Sequence, residues 1–594
     1  MITRGSAPFV LLDDARNGGA PARLYRAPVR VSVADRVADV PGVLDAVRAA
    51  TREGLHAAGF LSYEAGEAFE PSVGPLPASA TPLAWFGMFE RFDTLDQVAA
   101  LLPDPAGAWI GTVTPEITRD AYDAQFAQVL ALIAAGDIYQ ANLTFRARVA
   151  FDGDPLAVYA RLRAASHAGW GAVVDTGDET LLSLSPELFV ALEQSGLTCR
   201  PMKGTARRDP DPQIDAAAAA SLAADPKQRA ENLMIVDLMR NDLARVAVPG
   251  SVAVPEMFAI EHYPTVHQMT STVAATLDPG RDALDILAAL FPCGSITGAP
   301  KVRAMQAIAA IENSPRGAYC GAIGRVDANG DAAFNVAIRT LTIHRDARDV
   351  LLGLGSGIVA DSRADDEWAE CHAKGAFLRA GARAFDLIET MAFDPEEGIA
   401  WLERHLARMQ TSADALGFAL DRHAARNELQ AATFRLREPA RIRLLLAPSG
   451  ALAAEIAPVP PMPAAPVPVA IVPLPVDPLD FRLRHKTSDR HFYDRARGTA
   501  FEVIFERGDG QLTEGSFTNL FVARGGSLVT PPAGTLLPGV FRAELLATGR
   551  AVEGILTRAD LIAGFFIGNA LRGLLPAVLD TRIVSDGVRP VPPL

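Results

Sequence analysis

The change of character near residue 380 constrains this chain more than any other feature. There the helix-like stretch Asp366–Ala380 runs into Gly381, and a strand-like run, FDLIETMAF, begins at Phe385. A chain of 594 residues is too long for one hydrophobic core. The break is therefore read as a domain boundary with almost no linker, dividing residues 1–380 from 381–594. Upstream, strand-like runs alternate with helical ones. Leu181–Leu192 reads as a strand, and Ala230–Ala247 as a helix with apolar residues three and four apart. The alanine-rich Pro210–Asp225 reads as a surface helix or a mobile loop. Downstream, Ala454–Leu479 carries nine prolines. It is either a tether or an extended strand crossing between two lobes, and the alternation in VPVAIVPLPV suits the strand better.

Composition removes several classes of function. Hydrophobic content of 49% with 21% charge is ordinary for a soluble enzyme. No stretch of eighteen apolar residues runs free of charge or proline, so no membrane span is expected. The opening MITRGSAPFVLLDDARNGG has no apolar core of signal-peptide length. Four scattered cysteines without metal-ligand spacing read as reduced thiols of a cytoplasmic protein. A net charge of −14 argues against nucleic acid as a main partner. Anionic ligands must then be caught by local arginines, lysines and backbone amides.

Ten segments between residues 136 and 377 carry a family likeness in order. They are GDIYQANLT, SLSPELFV, RPMKGTARR, AENLMIVDLMRNDLARV, VHQMTSTV, FPCGSITGAPKVRAM, RGAYCGAIG, FNVAIRTL, GLGSGIVADS and EWAECHAKGAF. With them the front half resembles the chorismate-utilising enzymes, the family of anthranilate, isochorismate and aminodeoxychorismate synthases. The resemblance implies a β-sandwich with helices and chorismate as substrate. It makes Glu231 and Glu370 ligands of Mg²⁺, with Glu367 sharing the helix face of Glu370 and Lys374 one turn on. Taken alone, that acidic pattern is a solvated ion-pair face. The resemblance also gives Tyr319 and Arg339 the enolpyruvyl carboxylate, and Thr205 and His267 the ring, although a lone His267 is more often a satisfied core histidine. Gly355, Ser356 and Gly357 in GLGSG offer a backbone nest for a carboxylate. Thr297 opens a helix start that aims free amides at an anion. Lys203 distinguishes members: anthranilate synthases typically have alanine there, whereas aminodeoxychorismate synthases have a lysine that attacks the ring. Desolvation beside Mg²⁺ would give it the free amine this needs. Glu187 falls at the general-acid position. No cysteine lies in a glutaminase-like elbow, so ammonia is expected from a separate glutamine amidotransferase subunit.

The back half carries WLERHLARM, RHKTSDRHFYD, LTEGSFTNLFV, LLPGVFRAELL and GNALRGLLPAVL besides FDLIETMAF. It resembles the fold-type IV pyridoxal-phosphate enzymes, a group that includes branched-chain and D-amino-acid aminotransferases and aminodeoxychorismate lyase. By resemblance Lys486 carries pyridoxal 5'-phosphate, and Glu514 pairs with its pyridine nitrogen. Arg408, Val540, Phe541, Asn569 and Ala570 surround the phosphate. Thr390 partners Lys486 in proton transfer. Such a domain allows a homodimer. Two functions follow: a two-step route from chorismate to 4-aminobenzoate, or an anthranilate synthase component fused to an aminotransferase. Lys203 favours the first.

Overall fold

The computed structural model describes residues 8–263, 266–345 and 349–580. The chain divides into two compact units. The first comprises Met1–Pro105, Thr112–Val149 and Val158–Ala382; the second comprises Arg383–Leu594 together with Ala106–Gly111 and Ala150–Ala157. The changeover after Ala382 lies two residues from the break read in the sequence. The two short segments of the second unit lie inside the front half, where no compositional signal marks them. Among the described residues no helix is long and apolar enough to cross a membrane.

The first unit is built on two ten-stranded sheets. In one, Gly298–Ala299, Gln140–Gly153, Asp349–Ile358, Thr340–His344 and Glu179–Ser185 lie side by side in that order. In the other the order includes Met202–Arg207, Val266–Thr276, Gly196–Arg200, Leu188–Glu193 and Ala332–Val336. Val10, Tyr25, Val174 and Leu181 of the first sheet pack on Phe60, Trp85 and Ile323 of the second, which gives the sandwich its dry interior. The outer face of the second sheet is covered by helices Val40–Arg52, Pro226–Ala244 and Ala283–Leu290, whose apolar stripes join a common core. This is the helix-flanked sandwich expected.

Two prolines shape the site. The single strand read over Leu181–Leu192 is two strands, Glu179–Ser185 and Leu188–Glu193, and they belong to different sheets. Pro186 supplies no backbone N–H, so pairing stops there and the chain changes sheet. Pro201 likewise separates Gly196–Arg200 from Met202–Arg207. The helix read over 230–247 spans Pro226–Ala244, with Asp225 accepting from the Lys227 and Gln228 amides as its N-cap. The alanine-rich stretch is a helix, Pro212–Ala224.

The second unit holds a four-stranded sheet in which Leu387–Asp394 pairs antiparallel with Ala440–Leu446. An eight-stranded sheet contains Val467–Pro473, parallel to both Val503–Glu506 and Gly573–Leu579. The proline-rich stretch thus opens in the strand Leu452–Pro458 and contains the strand Val467–Pro473, with no helix or strand between them or over 474–479.

Candidate active sites

In the first unit the sheet change at Pro186 leaves Glu187 buried, its backbone fixed by Ser185, whose hydroxyl accepts from the Glu187 amide at 3.2 Å. One carboxylate oxygen of Glu187 is buried without a hydrogen-bond partner. Burial pushes its pKa up to about 7, against the pull of Ser295 and Lys203. A carboxyl held near its midpoint at neutral pH can donate a proton.

Beyond Pro201 the pairing of Met202–Arg207 with Val266–Thr276 shifts register between Met202 and Thr205. The irregularity falls on Lys203 and on Gly204, which has φ 91°. Such a bulge re-aims a side chain. Here it brings Lys203 Nζ against the strand Asp349–Ile358: a Cβ on Gly357 would lie 3.0 Å from Lys203 Nζ and 2.9 Å from Gln140 Nε2. Burial lowers the Lys203 pKa and Lys374 lowers it further, while Glu231, Glu187 and Glu370 oppose them. These are the charges gathered round the amine, which is held toward its neutral, nucleophilic form.

Glu231 is raised by burial, with Glu370 and Asp361 adding repulsion. Burial alone would raise Glu370, but Lys374, Lys203 and Lys227 hold it below the ordinary range. Two facing carboxylates suit Mg²⁺, which commonly takes one or two and fills its shell with water and substrate oxygens. Glu370 and Lys374 pair at 2.7 Å, so a cation would share Glu370 with that lysine. Glu367 is a correction. Its carboxylate turns back to accept from Ser362 at 2.7 Å, and no cluster of three ligands exists among the described residues.

Other expected groups are redirected. Both ring nitrogens of His267 are spent, on His262 at 2.7 Å and Asp215 at 2.9 Å, so this buried histidine is structural. Thr205 is exposed and donates to Gln268 at 3.0 Å. The Thr297 hydroxyl closes its own turn on the carbonyls of Cys293 and Gly294. GLGSG is no nest, because it lies within the strand Asp349–Ile358 and its glycines have no positive φ. Instead Gly353, Gly355 and Gly357 share one face and admit Tyr319, Thr144, and Lys203 with Gln140, respectively. Ser356 faces the other way, towards Tyr122 and Cys371. Lys374 Nζ donates to the Gly355 carbonyl at 2.9 Å. Arg339, in the left-handed region at φ 49°, has its pKa lowered by burial and meets no carboxylate partner among the described residues. A desolvated cation in strained backbone suits anion capture. Sequence reasoning missed Gln140, whose buried amide nitrogen lacks a partner. Its signal was its place in GDIYQANLT.

In the second unit a cavity of about 490 Å³ is lined by Lys486, Thr390 and Glu514. Lys486 Nζ donates to Thr390 Oγ1 at 3.0 Å. Burial, aided by Arg408, lowers the Lys486 pKa to about 7. Glu514 accepts from Tyr493 Oη at 2.9 Å and the Leu537 amide at 3.0 Å. Burial raises its pKa to about 7. Among the described residues nothing cationic pairs with it directly, so a protonated ring nitrogen would complete it. The helix Val540–Ala547 begins at the cavity without a side-chain cap, leaving the Val540 and Phe541 amides for a phosphate. A neutral-leaning lysine, an acid and an anion-binding helix start together fit pyridoxal phosphate.

Arg408 is less free than expected. Its Nε and Nη2 lie 2.8 and 2.6 Å from the two oxygens of buried Glu389, which also accepts from His405. Burial would raise Glu389, but Arg408 and His405 hold it at about 2. Asn569 spends its side chain on the amides of Leu571 and Arg572 and on the Phe517 carbonyl, so only its backbone and that of Ala570 remain for a ligand. Sequence reasoning also missed Glu502, which binds the Ser516 and Phe517 amides and thereby fixes the loop after Glu514.

Residues 386–579 match the family described as amino-transferase class IV. The chain is 47% identical over 254 residues to aminodeoxychorismate synthase component 1 of Salmonella typhimurium, covering 43% of this chain and 56% of that protein. It is 40% identical over 284 residues to an anthranilate synthase component 1 of Halobacterium salinarum, covering 47% and 54% respectively. The chain thus spans little more than half the length of these relatives. Among solved structures, anthranilate synthase component I from Streptococcus pneumoniae aligns with TM-score 0.52 at 25% identity, over 64% of this chain and 94% of that one. Residues 30–380, more than half of the chain, match the family described as chorismate binding enzyme, and the protein belongs to it.

Proposed function

We propose that this chain makes 4-aminobenzoate from chorismate in two steps, amination by the first unit and loss of pyruvate by the second. The observation that carries the reading is a pair of half-buried lysines, Lys203 and Lys486, each with its pKa lowered by its surroundings and each sharing its site with a carboxyl raised to about 7.

In the first step Lys203 Nζ adds to the ring as the hydroxyl leaves. Glu187 gives its proton to the departing hydroxyl, which leaves as water. Ammonia then displaces Lys203 to give 4-amino-4-deoxychorismate. Glu231 and Glu370 would hold Mg²⁺, which would supply positive charge to offset the ring carboxylate. Arg339 holds the enolpyruvyl carboxylate. Ammonia comes from a separate glutamine amidotransferase, in keeping with the component 1 name of the Salmonella relative.

In the second step Lys486 takes the proton from the amine-bearing ring carbon, with the Thr390 hydroxyl orienting its amine. Pyridoxal phosphate, when bound, supplies the electron sink, and Glu514 keeps its ring nitrogen protonated. The C–O bond to the enolpyruvyl group breaks, pyruvate departs, and the ring becomes aromatic. Aromatisation drives the step, which leaves the protein to position the proton and the leaving group.

Likeness alone does not choose between aminodeoxychorismate and anthranilate, since relatives of both kinds match. Lys203 favours the former. Purified chain supplied with chorismate, Mg²⁺, ammonia and pyridoxal phosphate should release 4-aminobenzoate and pyruvate in equal amounts. Anthranilate as the product, or aminodeoxychorismate that is never consumed, would overturn one step or the other.

A further inference from the structure

The cavity around Lys486 holds more positive charge than a phosphate needs. Most of its arginines are spoken for by the protein. Arg408 is on Glu389, Arg443 is 3.4 Å from Glu455, and Arg497 is 2.9 Å from Asp494. Arg490 donates to the Ser516 carbonyl at 2.9 Å. Two remain. Neither Arg441 nor Arg572 has a carboxylate partner among the described residues, and both line the cavity.

Their placement is specific. Arg441 and Arg443 are two apart on the strand Ala440–Leu446 and so share a face. Arg443 lies opposite Thr390, the residue that touches Lys486, and Arg441 lies two pairs further along, opposite Ala392. Arg572 stands on the turn between Phe565–Asn569 and Gly573–Leu579, its amide anchored on Asn569 Oδ1 at 3.0 Å. Its guanidinium carbon lies 5.7 Å from the centre of the Phe501 ring and 5.6 Å from that of Phe517. Its Nε is buried without a hydrogen-bond partner. The rings orient the fork. Burial and then repulsion from Arg441, which lines the same cavity, lower the Arg572 pKa, while Glu502 opposes them. Two like charges lining one cavity, one of them partly dehydrated, are costly unless an anion joins them.

We propose that Arg441 and Arg572 form a two-point clamp for an amine bearing two carboxylates, and that this clamp sets the substrate class of the second site. The inference rests on reading the Lys486 cavity as the pyridoxal-phosphate site, and it goes further by assigning specificity to two residues. A monocarboxylate amino acid satisfies one arginine and leaves the other unpaired. The clamp therefore rejects ordinary aminotransferase substrates by an unmet charge, without steric exclusion. Aminodeoxychorismate, with carboxyl groups on the ring and on the enolpyruvyl ether, satisfies both.

The test uses holoprotein and isophthalate (benzene-1,3-dicarboxylate), which has no amine and cannot react. Isophthalate should perturb the visible absorbance of the bound cofactor saturably, and about tenfold or more tightly than benzoate. Arg441→Met and Arg572→Met should each weaken isophthalate about tenfold or more and leave benzoate much less changed. Arg441→Lys should lose less than Arg441→Met. With aminodeoxychorismate, KM should rise by more than kcat falls. Isophthalate binding that is absent from the wild type, or equal in wild type and variants, overturns the clamp. So does loss of pyridoxal-phosphate affinity in both Met variants, which would assign the cations to the phosphate. Arginine-dependent isophthalate binding without any turnover of aminodeoxychorismate would leave the clamp standing and remove the proposed second step.

Discussion

Lys486 has an amine whose charge can be followed from outside. An ordinary lysine titrates near 10.4, so at neutral pH almost none of it is the free base that condenses with an aldehyde. Burial and Arg408 bring Lys486 to about 7. Apoprotein mixed with pyridoxal phosphate should therefore gain visible absorbance at a rate that rises with pH and levels off above about 7. Borohydride followed by digestion should leave the label on the peptide containing His485-Lys486-Thr487. A rate still climbing at pH 9, or a label elsewhere, would count against the assignment. At this scale the sequence was most informative about residues whose chemical type decides their role. Lys203, Glu187, Lys486 and Glu514 could be named from motifs, and the fold gives each a setting suited to that role. It was least informative where a side chain's partner decides the matter. Nothing in VHQMTSTV announces that His267 spends both nitrogens on His262 and Asp215, and nothing in WLERHLARM that Arg408 is committed to Glu389.

Among elements, the helix Ala283–Leu290 under the second sheet shows how local signals carry weight. Asp282 accepts from the Leu284 and Asp285 amides while Asp285 accepts from the Asp282 amide, a reciprocal cap that Arg48 reinforces at 2.6 Å. Asp282→Ala should lower the stability of the first unit by about 1–2 kcal/mol, read as a fall in the melting temperature. No fall would mean that tertiary packing alone holds the helix. Helices were legible because their period and caps are local. Strands were legible as runs but not as assignments: Leu181–Leu192 reads as one apolar stretch, and only Pro186 hints that its halves lie in different sheets. GLGSG was misread for a related reason. Glycine marks either a turn or a close approach, and three glycines at spacing two mean the latter once the segment is known to be a strand.

At the level of the whole molecule, the second unit is not a contiguous length of chain. It takes in Ala150–Ala157, and with it Asp152, which pairs with Arg484 and accepts from His485 at 2.8 Å, directly before Lys486. A fragment of residues 383–594 leaves Arg484 and His485 without that carboxylate. It should bind pyridoxal phosphate poorly and melt below the full chain, and Asp152→Ala in the intact protein should reproduce part of that loss, about 1–3 kcal/mol. A fragment as stable as the parent would show the pairing to be dispensable. No reading of composition finds this arrangement, because segments 106–111 and 150–157 carry no mark of where they belong. The consequence is historical. Two domains joined end to end can be parted again by one break in the gene, but not once the front half of the chain has lent residues to the second domain. Fission at the obvious boundary would then yield a damaged half, so selection that keeps the second domain folded also keeps the fusion.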